Sequence, residues 1–462
     1  MKKRLWLYIL GLCIFPARAF DLEQAWEAAE QYSAEYRAAE YGRDAEQEKE
    51  QQAQSALYPR IGLQSDYQRQ ASDLSSSRSQ YGWQVQVSQS LYDPEKTARY
   101  RQSQTDSETA QARLATQLDD LKLKVSQSYF EVLLAEENVQ AAKTEKAAYQ
   151  KQIEQAKKLF RHGAATAVDV YEAQAGYDAA LAKEIDALGR KQQAQNQLGS
   201  YTGLPIGQLQ PVDTRQLIER FQAQIDRHSL NEWQEAALRH NNEYRTLKSA
   251  VRSAEQGIYL VKAANRPKVQ LQLAYQDRHY RPHNGNNHHG KGFSAVLQLN
   301  IPLYSGGENR SRLREAAARH EETNYRLLAA ERRIRLAVAQ AHSESDAARY
   351  QILSQQRLLD SNRLKLKATE TGKQYGIRNT LEVVRARQDV ATAEQGLAQA
   401  RYRYMAAFLS LVKESGMNMT EAWRAVNMGG QKTEQTVKTR SVPHRIKPKK
   451  RYWLHQVRMA AV

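Results

Sequence analysis

The chain has 462 residues and a formal net charge of +17, with 26% of its residues charged. Its sole cysteine, Cys13, excludes a disulfide framework and a thiolate metal site. Beyond the first twenty residues no apolar stretch approaches the ~20 residues that a membrane-crossing helix requires, so a membrane location demands strands closed into a barrel, the other arrangement that satisfies every backbone group in lipid.

Lys2, Lys3 and Arg4, an apolar run over residues 5–15 and the small-residue site Ala17-Arg18-Ala19 read as a cleaved secretory signal over residues 1–19. The mature chain then begins near Phe20. A lipoprotein signal at Cys13 is the rival reading, but Leu12 stands where a small residue is needed. The basic balance is largely terminal: the signal carries +4 and residues 432–462 carry +8, leaving +5 of the +17. A nucleic-acid partner is not expected, since such binding needs a basic patch on a folded face.

A helical segment then leads to two strands, at about 60–69 and 82–92. Ile61, Leu63 and Tyr67 alternate with Gly62, Gln64 and Asp66, and Trp83, Val85 and Val87 alternate with Gln84, Gln86 and Ser88. Period two with one dry side and one Gln-rich side suits an outer-membrane barrel, though soluble half-buried hairpins share the pattern. From Pro94 to Pro205 there is no proline, and the composition favours very long helices. A helix over residues 96 to about 159 would run on the order of 95 Å. Leu121, Val125, Tyr129, Val132 and Leu133 give it a packed seam, which a plain coiled-coil rod would also show.

The second half repeats the first. Glu35-Tyr36-Arg37 recurs as Glu243-Tyr244-Arg245, Tyr58-Pro59-Arg60-Ile61 is echoed by Arg266-Pro267-Lys268-Val269, Leu91-Tyr92 by Leu303-Tyr304, and Gly163 to Val170 by Gly376 to Val383. Matched order at a slowly drifting offset marks a duplication, with repeats over 20–212 and 213–428. The second pair of strands falls at about 268–276 and 292–304. Tyr58, Tyr67, Tyr81, Trp83, Tyr92, Tyr275, Phe293 and Tyr304 lie near strand ends, where an aromatic girdle would meet lipid headgroups. The segments 69–82 and 276–292 read as polar loops. The second holds His279, His283, His288 and His289, for which a metal site is the rival reading, but Gly285, Gly290 and Gly292 make the segment too flexible to preorganise ligands, so it reads as a solvated loop with no metal site and no cofactor. Four strands cannot close a barrel whose smallest membrane forms have about eight, so several chains must contribute, and three copies give twelve. Residues 429–462 read as a disordered basic tail.

With its strand pairs after Pro59 and Pro267, the strand-end segments Ser88 to Asp93 and Asn300 to Gly307, and two Gly-x-x-x-x-x-acidic-Val elements, the chain resembles the TolC family of outer-membrane efflux proteins. The resemblance implies a mainly α fold with a membrane β-barrel: a homotrimer whose twelve strands continue into a long α-helical periplasmic tunnel. It implies an outer-membrane duct reaching into the periplasm, embedded in outer-membrane lipid. The duct would dock a periplasmic adaptor (membrane fusion) protein and an inner-membrane transporter of ABC, RND or MFS type, for multidrug efflux or type I protein secretion. Gly163 and Gly376 would be the hairpin tips that meet the adaptor. Asp169 and Arg378 would form a charged latch, and Glu382 an acidic ring at the entrance. Arg385 and Lys373 depart from the family pattern, replacing a second acidic ring and a latch tyrosine. No catalytic motif appears: His320-Glu321-Glu322-Thr323-Asn324 lacks the second histidine of a zinc-protease helix, and Gly290-Lys291-Gly292 lacks the P-loop frame. A periplasmic coiled-coil adaptor or scaffold without a pore is the remaining alternative.

Overall fold

The computed structural model describes residues 20–72, 75–210, 212, 214–282 and 286–427. Helices α1 (Leu22–Tyr32) and α2 (Ala34–Ser55) lead to strands β1 (Arg60–Ser72) and β2 (Ser75–Tyr92), then to the 68-residue helix α3 (Pro94–Arg161) and its return partner α4 (Ala167–Thr202). Two short helices follow, α5 (Thr214–Ile225) and α6 (Leu230–His240). The second passage has the same order: α7 (Asn242–Ala264), β3 (Lys268–Pro282), β4 (His288–Asn300), the 67-residue α8 (Glu308–Gln374) and α9 (Thr380–Glu414), closed by α10 (Met419–Asn427). At 1.5 Å per residue α3 and α8 are each about 100 Å long.

The strand-to-helix junction is built by Asp93, whose carboxylate accepts the Glu95 and Lys96 N–H groups, and by Pro94, preset for the first helical turn. Lys268 at the start of β3 pairs with Glu95 at 2.5 Å, tying the sheet to α3 across the two halves of the chain. The seam residues Leu121, Val125, Tyr129, Val132 and Leu133 are all buried. They join an aromatic core in which Phe221 of α5 stacks on Phe408 of α9 at 3.9 Å and Trp26 of α1 meets Trp423 of α10 edge-on. The Trp26 indole N–H donates to Ser126 Oγ at 3.0 Å, so the polar edge of this core residue is satisfied.

All four strands form one antiparallel sheet in the order β1-β2-β3-β4. Its register aligns Leu63, Val85, Tyr275 and Phe293 in one row and Ile61, Val87, Leu273 and Ala295 in the next. This apolar face is uncovered, with Leu63 73% and Phe293 70% exposed. The rows between carry Gln64, Gln84 and Gln276 on the other face.

The strands run further than their apolar alternation suggested. Segments 69–82 and 276–292, expected as loops, are largely strand, because the backbone ladder continues where side chains on both faces turn polar. His279, His288 and His289 therefore sit on paired strands and not on a flexible loop. At the other end β4 stops at Asn300, short of the expected 304, two residues before Pro302, which has no N–H for the ladder. The signal segment, the basic tail after Asn427, His283 and Gly285 lie outside the described residues.

Candidate periplasmic gate

Both long hairpins end in the same turn. After α3, Gly163 takes φ +71°, and Ala164 N–H donates back to Leu159 O at 2.9 Å. After α8, Gly376 takes φ +75°, and Ile377 N–H donates back to Gly372 O at 2.8 Å. Space around both glycines is open, so it is the left-handed backbone that calls for glycine. The tips present apolar side chains to solvent: Phe160 is 48% exposed, and Tyr375 and Ile377 are each 77% exposed.

The charges that the sequence singled out occupy these turns, but in pairings other than the expected one. Asp169 closes a capping box at the start of α4, accepting Thr166 N–H at 2.7 Å and the Thr166 hydroxyl at 2.8 Å. Those bonds hold its carboxyl below the usual range. Arg378 reaches Glu382 at 3.3 Å, one turn along, while Asn379 caps α9 by accepting Glu382 N–H. Asp169 and Arg378 thus each have a partner on their own hairpin and make no bond to each other among the described residues. Lys373 and Arg385 are exposed.

The side chains that do cross between the hairpins lie deeper. Gln388 of α9 donates from Nε2 to the Tyr149 hydroxyl of α3 at 2.8 Å, and Tyr402 of α9 donates to Glu137 of α3 at 2.6 Å. Tyr149 is 6% exposed, and its ring lies against Gly176 of α4, where any added methyl would collide with it. Burial, with the Glu145 carboxylate nearby, pushes the Tyr149 phenol up, so it stays neutral and available as an acceptor. Between the two cross-links runs a groove of about 820 Å³, lined by α3 on one side and by α8 and α9 on the other. Each hairpin is separately laced. Lys183–Glu145 (2.9 Å) and Lys191–Glu136 (3.0 Å) join α4 to α3, and Arg387–Glu370 (2.7 Å) and Lys365–Asp389 (2.8 Å) join α9 to α8. The hairpins are thus stiff units joined below their tips by these two hydrogen bonds, one neutral and one to a carboxylate. Sequence reading missed Tyr149 and Gln388, for which the sequence carries no distinctive signal.

Comparison with known proteins agrees with this architecture. The chain is 26% identical over 420 residues to the alkaline protease secretion protein AprF of Pseudomonas aeruginosa, covering 88% of this chain and 87% of the relative. It is 27% identical to the outer membrane protein TolC of Vibrio cholerae, over 93% and 99% of the two chains. The crystal structure of the outer membrane protein VceC from Vibrio cholerae superposes with a TM-score of 0.70 at 16% identity, covering 86% of this chain and 96% of that one. CusC matches with a TM-score of 0.71 over 86% and 92%. Residues 26–204 and 233–416, one block from each half, match the model of the family described as outer membrane efflux protein, and the chain belongs to that family.

Proposed function

We propose that three copies of this chain close their four-stranded sheets into a twelve-stranded barrel in outer-membrane lipid and continue as a helical duct through the periplasm. The chain is an outer-membrane channel subunit of a tripartite export system, a passive conduit and not an enzyme. One observation carries the trimer: a four-stranded sheet with an exposed apolar face and a Gln-lined opposite face, too narrow to close alone. A scaffold without a pore has no use for that face. The two repeats, 20–212 and 213–428, each supply one strand pair and one long hairpin to the duct.

The gate in this reading is the contact between the hairpin pairs. Opening moves the α8–α9 hairpin away from α3–α4, breaking the Gln388–Tyr149 bond first because it lies nearer the tips, with Tyr402–Glu137 acting closer to the pivot. The exposed tip residues around Gly163 and Gly376 dock the adaptor, which works with an inner-membrane transporter of ABC, RND or MFS type. Relatives named for protease secretion favour polypeptides among the cargoes. At the entrance each Glu382 is paired with Arg378 at 3.3 Å, with Arg385 one turn on, so charge selection there is set by a mixed ring.

Single-channel recording of detergent-purified protein in a planar lipid bilayer tests the reading. Discrete steps from a trimeric species are the expected result. Folded, inserted trimers that pass no current with the gate residues mutated would overturn it.

A further inference from the structure

The β3–β4 hairpin carries a side-chain cluster that export does not use. On the face that bears Tyr275 and Phe293, the next two positions along β3 are Asp277 and His279, and opposite them on β4 stand Lys291 and His289. His289 Nε2 lies 2.6 Å from Asp277 Oδ1, and His279 Nε2 lies 3.5 Å from the same oxygen. The two imidazoles stack at 4.0 Å, and Tyr81 of β2 stacks against His279 at 4.8 Å. The Asp277 side chain is only 12% exposed, so its carboxylate is held in the sheet with one oxygen turned to both rings.

We propose that Asp277, His279 and His289 form a binding site for a divalent d-block cation of the Zn²⁺ or Ni²⁺ kind at the hairpin end of the sheet, on its apolar face. Two imidazole nitrogens and a carboxylate oxygen suit such ions and not the all-oxygen shells of Ca²⁺ or Mg²⁺. All three donor atoms lie within 4.8 Å of one another. Zinc bonds of about 2.0–2.2 Å place tetrahedral ligand atoms roughly 3.3–3.5 Å apart, so the Asp277–His279 pair is already spaced for a shared ion, while His289 must release its 2.6 Å bond to Asp277 and tilt out of the stack to turn its in-plane lone pair onto the ion. The paired strands fix the backbone of all three ligands, and a fourth position is left for water.

Charge on the site is mixed. Lys291 Nζ lies 3.6 Å from Asp277 Oδ2, the oxygen not facing the imidazoles, and its side chain is 56% exposed, so it can swing into water as the cation enters. Arg281 lies over the Tyr81 ring at 5.3 Å and adds opposing charge at longer range. A bound ion would staple β4, the last strand of the sheet, to β3 just beyond the Trp83–Tyr275 aromatic pair. His288 is adjacent in sequence but alternates to the other face, so it serves as an internal control.

The test uses the full chain in detergent, without a polyhistidine tag and stripped by chelator, titrated with Co²⁺ by visible absorption and with Zn²⁺ by competition. About one ion per chain is expected. Asp277→Asn, His279→Ala and His289→Ala should each weaken binding at least ~10-fold, while His288→Ala leaves it unchanged. Zn²⁺ should also raise the temperature of trimer dissociation in the wild type but not in His289→Ala. Should an alanine variant fail to assemble, His279→Gln and His289→Gln give the same readout. Binding that is equal in wild type and histidine variants, or absent up to ~1 mM ion, overturns the site while leaving the channel reading intact.

Discussion

Replacing Tyr149 by phenylalanine removes one oxygen atom and leaves the ring against Gly176, so the α3–α4 packing survives and only the bond from Gln388 is lost. A neutral hydrogen bond contributes about 1 kcal/mol net, which shifts the closed-to-open equilibrium of one hairpin about fivefold. If the three hairpins of a trimer open together, the increments add to about 3 kcal/mol and the open fraction rises on the order of 10²-fold. Open probability in single-channel recordings reads this directly. A fivefold rise means that the opening of one hairpin suffices to conduct, and a hundredfold rise means that all three must open. Gly176→Ala is the harsher version: in a helix it should gain up to about 1 kcal/mol from propensity, yet its methyl displaces the Tyr149 ring and should increase opening further. Unaltered open probability in both variants, with normal trimers, would remove this bond from the gate.

Arg378→Ser should raise cation conductance by leaving Glu382 without its positive partner at the entrance, and unchanged conductance would assign Arg378 a merely solvated role. Glu382→Gln should shift the reversal potential under a salt gradient toward anions, since Arg378 and Arg385 are then left unopposed; an unmoved reversal potential would take Glu382 out of the permeation path. The Lys268 hydrogen bond holds the Glu95 carboxyl below its ordinary range against the opposing effect of burial. A depressed carboxylate pKa contributes stability that is present above the ordinary Glu range and lost as pH falls through the depressed value. The melting temperature of wild-type trimers should therefore exceed that of Lys268→Met near neutrality, and the gap should narrow on acidification below the ordinary Glu pKa. A gap independent of pH would show that the pair does not brace the junction.

The helical seam and the apolar strand faces were legible in the sequence because each follows from local periodicity: Val125, Tyr129 and Val132 repeat with the helix, and Ile61, Leu63 and Val85, Val87 with the strand. The hairpin turns were legible through the repeated Gly163 to Val170 and Gly376 to Val383 elements and the family resemblance they carry, and both glycines adopt a left-handed backbone. Contacts between distant segments were not. Tyr149 and Gln388 lie 239 positions apart and neither has a distinctive neighbourhood. His279 and His289 were visible as residues, but their alignment with Asp277 was not: polar residues on both faces erase the alternation that marks a strand, although the backbone pairing runs on unbroken. Among the described residues Asp169 and Arg378, the pair implied by family resemblance, are not bonded to each other, and each has a partner on its own hairpin.

The sheet ends in β1 on one side and β4 on the other, and neither edge has a partner strand among the described residues. Each edge offers a row of backbone donors and acceptors to whatever strand arrives. A lone protomer is therefore an unfinished folding unit, and its stability obeys mass action: dilution should lower the apparent melting temperature, and an excess of chains without a membrane to enter should polymerise edge to edge.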